Sequence, residues 1–427
     1  MLVLPIGLIL FAWLAYQRWS AVVLGPLVSL VVLLLARVPM FKTMTGPYME
    51  TAASYFKNYF LIFFLGALFS AIYEETGAAE SIAKALLKVT KGAWAASMVM
   101  LITGLLTYGG ISGFVIFFAM YPITWYLFKE ANLPQRIIPA AISAGTWTWS
   151  MTSPGTPAIQ NVIPMRYLGT PSTAALVPGI ISGVLQFVLI FLYLEWRTRL
   201  YLERGLNFSS EGPQELTHKS RSDAELPNPW IAVIPPIVVL LLFNVAKLAV
   251  ETAVFVGILL GLCLLWKHGG NYRNWVKVLN RGGANSAMAI LNTALVAGFA
   301  GAVRAAPGYA KLISSLKNLR MPPLVFVAVT VALAAGAAGS ASGGMSVALE
   351  SLKDTYMSLG VPLQYVHRVT SIAAGTLDTL PHQGAQITLL TICGLTHKEG
   401  YFDIAMTQLV IPTIALIVII PLCMMGL

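Results

Sequence analysis

A carboxylate and an imidazole lie close together in a mostly apolar stretch of the chain, where Asp378 is followed by Pro381 and His382. Both groups can titrate near neutral pH in suitable surroundings, so the pair could take up and release a proton. In the structural alternative, Asp378 caps a helix that begins after Pro381, and His382 is a polar residue without proton exchange. Asp378 is the only acidic residue in the polar segments described next, which favours a functional role for it.

Two segments rich in glycine, proline and hydroxyl side chains interrupt long apolar runs, at residues 143–157 and 374–384. Proline removes a backbone donor and disfavours helix at the preceding residue, so each segment predicts a broken helix. Freed carbonyls, hydroxyls and helix ends would then contact a small polar solute. The predicted contacts are Thr152, Ser153, Gly155, Thr156 and Asn161 around the first break and Thr376, Thr379, His382 and Gln383 around the second, with Asp378 and His382 as the coupling pair. The alternative is two proline kinks whose hydroxyls bond back to their own helix.

Two glycine-rich turns, at residues 108–113 and 339–344, precede these segments. A helix that starts after such a turn presents unpaired N–H groups and the positive end of its dipole. The predicted anion contacts are Ser112 and Gly113 in the first turn, and Ser342 and Gly343 in the second. One such turn would indicate a short loop between packed helices, whereas two turns at matching positions favour a binding site for a carboxylate.

The composition places these elements in a lipid bilayer. Hydrophobic residues make up 57% of the 427 residues and charged residues 10%, whereas soluble domains carry roughly 25% charged residues. We therefore expect an all-α polytopic membrane protein, in which irregular backbone is buried in protein or lines a wet cavity. The net charge of +10 then reflects orientation in the membrane, and no nucleic-acid partner is expected.

Residues 339–386 repeat the pattern of residues 109–160, and paired broken segments of this kind are typical of secondary transporters. We predict a first repeat at 1–194, a polar linker at 195–228 and a second repeat at 229–427. The predicted parts are scaffold spans in 1–73, a re-entrant hairpin at 92–128 and a broken helix at 134–165, followed in the second repeat by a hairpin at 322–359 and a broken helix at 363–396.

Each repeat contains five spans and one hairpin, which gives an odd number of crossings however the hairpin runs. The second repeat would then lie inverted relative to the first. The side of the membrane that holds the linker carries the larger share of the 27 Lys and Arg residues. The linker is therefore predicted to face the cytoplasm and both termini the outside of the inner membrane.

Motifs for other chemistries are missing from the sequence. It contains no Walker A motif, no H-E-x-x-H motif and no Cys/His cluster with metal-ligand spacing. We expect no cofactor, no metal and no enzymatic activity. Arg304 and Arg368 lie near the ends of predicted spans, where they could attract anions on the outer side, extend to the interface or form structural pairs. Gln160, Asn161 and Gln386 follow the two breaks and could line the same cavity.

At these positions the sequence resembles the gluconate permease (GntP) family of the ion transporter superfamily, and most of all its hydroxybutyrate permease branch. The matching stretches are GAAESIA at 77–83, GGISGF at 109–114, SMTSPGTPAIQN at 150–161, GSASGGM at 339–345 and TLPHQGAQITLLTICGLTH at 379–397. The resemblance implies proton symport of a small hydroxy-carboxylate such as 3-hydroxybutyrate or a gluconate-like sugar acid. It also implies a homodimer with a scaffold domain and a transport domain that moves as an elevator.

The leading hypothesis is therefore secondary uptake of a small monocarboxylate with a proton. A sodium-coupled transporter of the same architecture is the nearest alternative, since unwound carbonyls and hydroxyls also suit Na⁺. A membrane-embedded enzyme and a channel are alternatives from other classes.

Overall fold

The computed structural model describes residues 3–17, 19–90, 94–108, 113–208, 225–246, 248–316 and 320–426. Within these ranges the chain forms helices joined by turns, with no β-strand. Five of the helices are long and apolar enough to cross a membrane: Met40–Glu75, Leu176–Glu203, Glu251–His268, Tyr272–Ala305 and His397–Met424. The predicted all-α polytopic membrane class is confirmed.

The helices of the two halves follow one another in the same order. The helices of the first half are α1 (Val3–Tyr16), α2 (Ala21–Leu35), α3 (Met40–Glu75), α4 (Ala78–Thr90), α5 (Ala95–Tyr108), α6 (Gly113–Glu130), α7 (Ile138–Trp147), α8 (Trp149–Thr152), α9 (Ile159–Leu168) and α10 (Leu176–Glu203). Those of the second half are α11 (Pro229–Ala232), α12 (Ile234–Asn244), α13 (Val250–Leu265), α14 (Tyr272–Ala305), α15 (Pro307–Leu316), α16 (Pro323–Ala338), α17 (Ala341–Met357), α18 (Leu363–Leu377), α19 (Gly384–Ile392) and α20 (His397–Met424).

The two longest apolar helices, α3 and α14, pack along each other and join the halves. Their close approach depends on small residues, because a Cβ on Gly301 would lie 2.4 Å from the Pro47 carbonyl oxygen. The Tyr48 hydroxyl donates to the Leu295 carbonyl at 2.7 Å, which pairs a polar group inside the helix contact. This pair, with α2 and α13 packed on it, forms a scaffold beside the remaining helices.

Each half contributes a helical pair (α5–α6 and α16–α17) and an interrupted helix (α7–α9 and α18–α19) that pack on each other. The second segment of each interrupted helix, α9 or α19, packs on helices of the other half. Helix α9 packs on α17 and α18 of the second half, and α19 packs on α6 of the first half. The halves are therefore interlocked through these three contacts.

Proline and glycine explain where both helices stop. The first is broken once at Thr148, between α7 and α8, leaves helical geometry again after Thr152 and resumes at Ile159, with Gly155 at a positive φ of 83° in the second gap. The second ends at Leu377 and resumes at Gly384. Pro154, Pro157 and Pro381 lie in these gaps and carry no N–H that could continue a helix.

The close contact between α16 and α17 leads to the first prediction. A Cβ on Gly344 would lie 2.2 Å from the Ala335 Cα and 2.3 Å from its nitrogen, and backbone atoms cannot rotate away. Gly344→Ala should therefore lower the free energy of unfolding by about 1–3 kcal/mol. Thermal unfolding of the purified protein in detergent measures the change.

The matched control is Gly283→Ala on α14, whose Cβ would meet only the Phe64 ring at 3.7 Å. Because alanine favours helix over glycine, this variant should unfold at the same or a slightly higher temperature. Equal melting temperatures for the two variants would contradict the packing described for α16 and α17.

Candidate functional site

A cavity of about 480 Å³ lies where the interrupted helices and helical pairs of both halves meet the scaffold. The second half supplies most of its polar lining: Ser340, Ser342, Asp378, Thr379, His382 and Gln383. The first half supplies Thr51, Tyr55 and Tyr59 on α3, Thr107 on α5 and Gln160 on α9. The cavity is therefore shared between the halves, and its volume falls within the roughly 300–1,000 Å³ of small-molecule sites.

Asp378 lies in the wall of this cavity immediately after α18, with 5% of its surface exposed. Gln383 Nε2 donates to its Oδ2 at 2.7 Å, and the Thr379 hydroxyl donates to Oδ1 at 3.3 Å. The backbone N–H of Ala341 also interacts with this carboxylate. Among the described residues no lysine or arginine forms an ion pair with Asp378. Neutral donors alone therefore hold a buried acidic group, which is an expensive arrangement inside a membrane protein.

His382 lines the same cavity but does not contact the Asp378 carboxylate through a hydrogen bond. Its Nε2 donates to the Gly336 carbonyl at 2.9 Å, and its ring lies edge-on to Phe11 and Phe299. In this conformation the imidazole ties the second break to the end of α16.

Helix α20 supplies the other partners of the second break. His397 Nε2 donates to the Pro381 carbonyl at 2.9 Å, and the Tyr401 hydroxyl donates to the Thr379 carbonyl at 2.9 Å. These bonds pair carbonyl groups that the interrupted helix leaves free, as backbone without access to water requires.

The first break is held by two fully buried residues of α18, His367 and Arg368. Arg368 donates to the carbonyls of Thr152 at 2.5 Å and Ala174 at 2.7 Å, and to Asn161 Oδ1 at 3.3 Å. His367 Nε2 donates to the same Asn161 oxygen at 2.8 Å. The second half thus pairs the freed backbone of the first, and the structural pairing of Arg368 is one of the alternatives that the sequence left open.

The residues predicted to contact the solute fall into three groups. Gly113, Ser342, Asp378, Thr379, His382 and Gln383 line the cavity. Thr152, Ser153, Gly155, Thr156, Asn161, Gly343 and Thr376 lie outside that lining. Ser112, with the rest of the turn at 109–112, lies outside the described residues.

The second group is engaged in local structure. The Thr152 and Thr376 hydroxyls donate to the carbonyls of Thr148 and Ala373 in their own helices. The N–H of Gly155 donates to the Ser172 carbonyl at 2.9 Å, and Asn161 Nδ2 donates to the Thr156 carbonyl at 2.9 Å. Hydroxyls bonded back to their helix are the structural alternative that the sequence left open at these positions.

The wall formed by the scaffold contains Arg304, which the sequence analysis named as a possible contact for anions, and three hydroxyl side chains that it did not select. Tyr55 and Tyr59 lie one helical turn apart on α3, and Thr51 lies one turn before them. Arg304 on α14 faces them, exposed, with Nη2 3.3 Å from the Thr51 hydroxyl. Among the described lining residues Arg304 is the only lysine or arginine. The regular polar spacing on α3 was the available sign in the sequence.

A chain of buried amides links the two interrupted helices beside the cavity. Gln386 Nε2 on α19 donates to Gln408 Oε1 on α20, and Gln408 Nε2 donates to the Ser143 hydroxyl on α7, each at 2.5 Å. Gln408 also lines the cavity and lies in a π-helical turn, Met406–Val410. Such turns often occur at functional sites.

The described residues contain no group of three or more His, Cys, Asp or Glu side chains placed to hold a metal ion. The cavity offers hydroxyl, amide and carboxylate groups together with one arginine, which suits the binding of a small polar molecule.

Comparison with known proteins assigns the chain to a family. It is 33% identical to the uncharacterized transporter YxjC of Bacillus subtilis (strain 168) over 450 aligned residues, which cover 94% of each protein. The chain belongs to this transporter family. It is also 28% identical to an uncharacterized permease of Haemophilus influenzae over 201 residues, 44% of this chain and 39% of that protein. No family model matches the chain. The protein is a membrane transporter, in agreement with its apolar helices.

The contacts of Arg368 lead to the second prediction. Arg368→Met keeps a long side chain but leaves the Thr152 and Ala174 carbonyls without their donor. We expect the transporter to lose about 2 kcal/mol or more of unfolding free energy, because unpaired buried polar groups are costly. Chemical or thermal unfolding in detergent gives the value.

Arg166→Met on α9 serves as the control, because Arg166 is exposed. Its effect should stay within about 0.5 kcal/mol. If Arg368→Met were as stable as this control, the described role of Arg368 in holding the first break would be wrong.

Proposed function

We propose that this transporter carries a small hydroxy-monocarboxylate across the inner membrane together with a proton. Candidates for the cargo are 3-hydroxybutyrate and gluconate-like sugar acids. The coupling residue is Asp378, and the cargo binds in the cavity between the two halves. The proposal concerns cargo, ion and mechanism, which go beyond membership of the transporter family.

The observation that carries this proposal is the environment of Asp378. Its carboxylate is buried in the cavity wall and is held by Gln383, Thr379 and Ala341, without an ion-pair partner among the described residues. A group in this position can gain and lose a proton without breaking a salt bridge. In the structure His382 donates a hydrogen bond to the Gly336 carbonyl and so stabilises the second break. We also propose that His382 exchanges the coupling proton in a second step.

Two features of the cavity favour an anionic cargo. Arg304 supplies a cation in the scaffold wall, with only the Thr51 hydroxyl as its described partner. Across the cavity lie Ala341 and Ser342, the first residues of α17, whose backbone N–H groups point out of the helix end, whereas those of Gly339 and Ser340 donate to carbonyls of α16. Hydroxyls of Ser342, Thr379 and Tyr55 suit the hydroxyl group of the cargo.

The mechanism we propose follows from the same division of the fold. The two halves would be inverted repeats, an arrangement supported by the matching order of helices and by the crossed packing of α9 and α19. The interrupted helices and helical pairs would move as an elevator against the scaffold of α3 and α14. We further propose a homodimer, both termini outside, and the predicted linker 195–228 in the cytoplasm, where its first residues, up to Glu203, continue helix α10.

Sodium coupling is the second candidate, and one specific observation favours it. The amide oxygens of Gln160 and Gln383 are buried beside the cavity without a hydrogen-bond partner among the described residues. Carbonyl and carboxylate oxygens suit a hard cation. Uptake into vesicles under a proton gradient, with and without sodium, separates the candidates. If uptake required sodium, the coupling ion would be sodium and not the proton.

Asp378→Asn should abolish accumulation of 3-hydroxybutyrate against its gradient and leave exchange across the membrane, because the amide cannot carry the proton. Proteoliposomes loaded with unlabelled acid and given labelled acid outside measure both activities. Asp354→Asn, an exposed change on α17, is the control and should accumulate the acid normally. Normal proton-driven accumulation by Asp378→Asn would exclude Asp378 as the coupling residue.

Arg304→Gln should raise the half-saturation concentration for the carboxylate about tenfold, since a charged hydrogen bond contributes about 1.5–3 kcal/mol. Initial uptake rates at several concentrations give this value. Lys311→Gln removes an exposed charge on α15 outside the cavity lining and should leave it unchanged. If Arg304→Gln and Lys311→Gln raised the half-saturation concentration equally, Arg304 would act only through the general surface charge.

A further inference from the structure

The start of α17 lies beside a carboxylate of the protein itself. Helix α17 begins at Ala341, and its first N–H interacts with the side chain of Asp378. Ser340 caps the same turn, because its hydroxyl accepts the N–H of Gly343 at 3.2 Å. The N–H groups of Gly339 and Ser340 donate to carbonyls of α16, so those of Ala341 and Ser342, which line the cavity beside Asp378, are the ones that would bind a cargo carboxylate.

Two carboxylates cannot share these donors while both are charged. At a separation of a few ångströms like charges in a desolvated site repel strongly, and one of them must take up a proton or leave. The cargo is an anion at neutral pH, so Asp378 is the group that must become neutral. The geometry therefore links the protonation of Asp378 to the release of the donors at Ala341.

The amide of Gln383 provides a second, independent observation. Its Nε2 donates to Asp378 Oδ2 at 2.7 Å, whereas its Oε1 has no hydrogen-bond partner among the described residues although the side chain is only 8% exposed. Buried acceptors without a donor are rare and costly. A neutral Asp378 has a carboxyl O–H that can donate a hydrogen bond. Gln383 Oε1 can accept it once the amide has rotated so that its oxygen and nitrogen exchange places. The unpaired oxygen thus matches the neutral state of its neighbour.

We propose that Asp378 and the transported carboxylate compete for the N–H groups at the start of α17, so that a proton must bind Asp378 before the cargo can bind. The Gln383 amide then turns over and accepts the hydrogen of the neutral carboxyl group. This inference rests on the proposed function and adds the order of binding to it. Proton and cargo enter together because each charged carboxylate excludes the other.

Other ionisable groups around Asp378 do not form ion pairs with it among the described residues. The Tyr401 hydroxyl donates to the Thr379 carbonyl, and His382 and His397 donate to the carbonyls of Gly336 and Pro381. Helix α16 has no ionisable side chain, and those of α17 begin at Glu350, more than two turns beyond Ala341. Arg304, on α14, is paired with Thr51 in the opposite wall. Asp378 is thus the acidic group that meets the cargo at this turn.

The experiment measures binding of potassium 3-hydroxybutyrate to the purified, full-length protein by titration calorimetry between about pH 6 and about pH 9, where the ligand stays ionised. In the unaltered protein the dissociation constant should rise with pH, approaching about tenfold per pH unit at the alkaline end. Repeating the titration in two buffers of different ionisation enthalpy there should show uptake of one proton per bound anion.

Asp378→Asn should bind the anion at least as tightly as the unaltered protein does at low pH, with no pH dependence and no proton uptake. Asp354→Asn is the matched control and should keep the pH dependence of the unaltered protein. A residue with a merely structural role would weaken binding at every pH. If Asp378→Asn does not fold, the two-buffer titration of the unaltered protein still decides the question.

Binding that is independent of pH in the unaltered protein, or that occurs without proton uptake at the alkaline end, would overturn the competition and leave the proposed cargo in place. Weaker, pH-dependent binding by Asp378→Asn would also overturn it. If neither protein bound 3-hydroxybutyrate, gluconate or lactate at any pH, the proposed function would fail, and the inference with it.

Discussion

Backbone groups that leave a helix inside a membrane protein must find partners within the protein, and the rest of this structure depends on that constraint. Two helices are interrupted beside the cavity, and each interruption frees carbonyl groups. The core of a bilayer contains no water that could donate hydrogen bonds to them. Arg368 and His367 hold the first interruption, while His397 and Tyr401 hold the second. The long-range packing of α18 and α20 is therefore set partly by the bonds that these breaks need.

The two interruptions are alike in sequence but differ in what surrounds them. The first is filled by polar side chains of the other half, and Asn161 is bonded on both its oxygen and its nitrogen. The second keeps an acidic residue in the cavity wall, with Gln383 as its strongest described donor. The arginine at the first break binds backbone carbonyls and is expected to stay charged. The carboxylate at the second break is held by neutral donors and can change its protonation state. This asymmetry is the reason why the proposed coupling is assigned to the second break.

The scaffold and the interrupted helices have different kinds of contact. Helices α3 and α14 approach closely through glycines such as Gly298 and Gly301, so their separation is set by backbone atoms. The cavity wall between the scaffold and the interrupted helices has tyrosines, an arginine and small residues instead. Beside this wall the scaffold also packs directly on the other group, because α14 contacts α19, where the Thr293 and Thr388 hydroxyls share a hydrogen bond, and α3 contacts α6.

Local chemistry made part of the fold predictable. The all-α membrane class follows from few charges and long apolar runs, because a long apolar run can span a bilayer only as a helix, which satisfies its own backbone hydrogen bonds. The ends of helices at Thr152 and Leu377 lie beside prolines, whose missing N–H acts within one turn of the chain. Asp378 was identified for a similar reason, since any acidic residue among apolar neighbours is costly wherever it packs.

What the sequence by itself determined was thus the type of protein, the places where helices cannot continue and the one acidic group within the interrupted segments. Only the tertiary structure decided that Thr152, Thr156 and Asn161 lie outside the described cavity lining while Arg304 belongs to it. The rotation of a helix and the carbonyl that a side chain meets depend on helices far away in the chain. No local pattern of residues contains that information, because it arises only when α18 packs on α9 and α14 packs on α3.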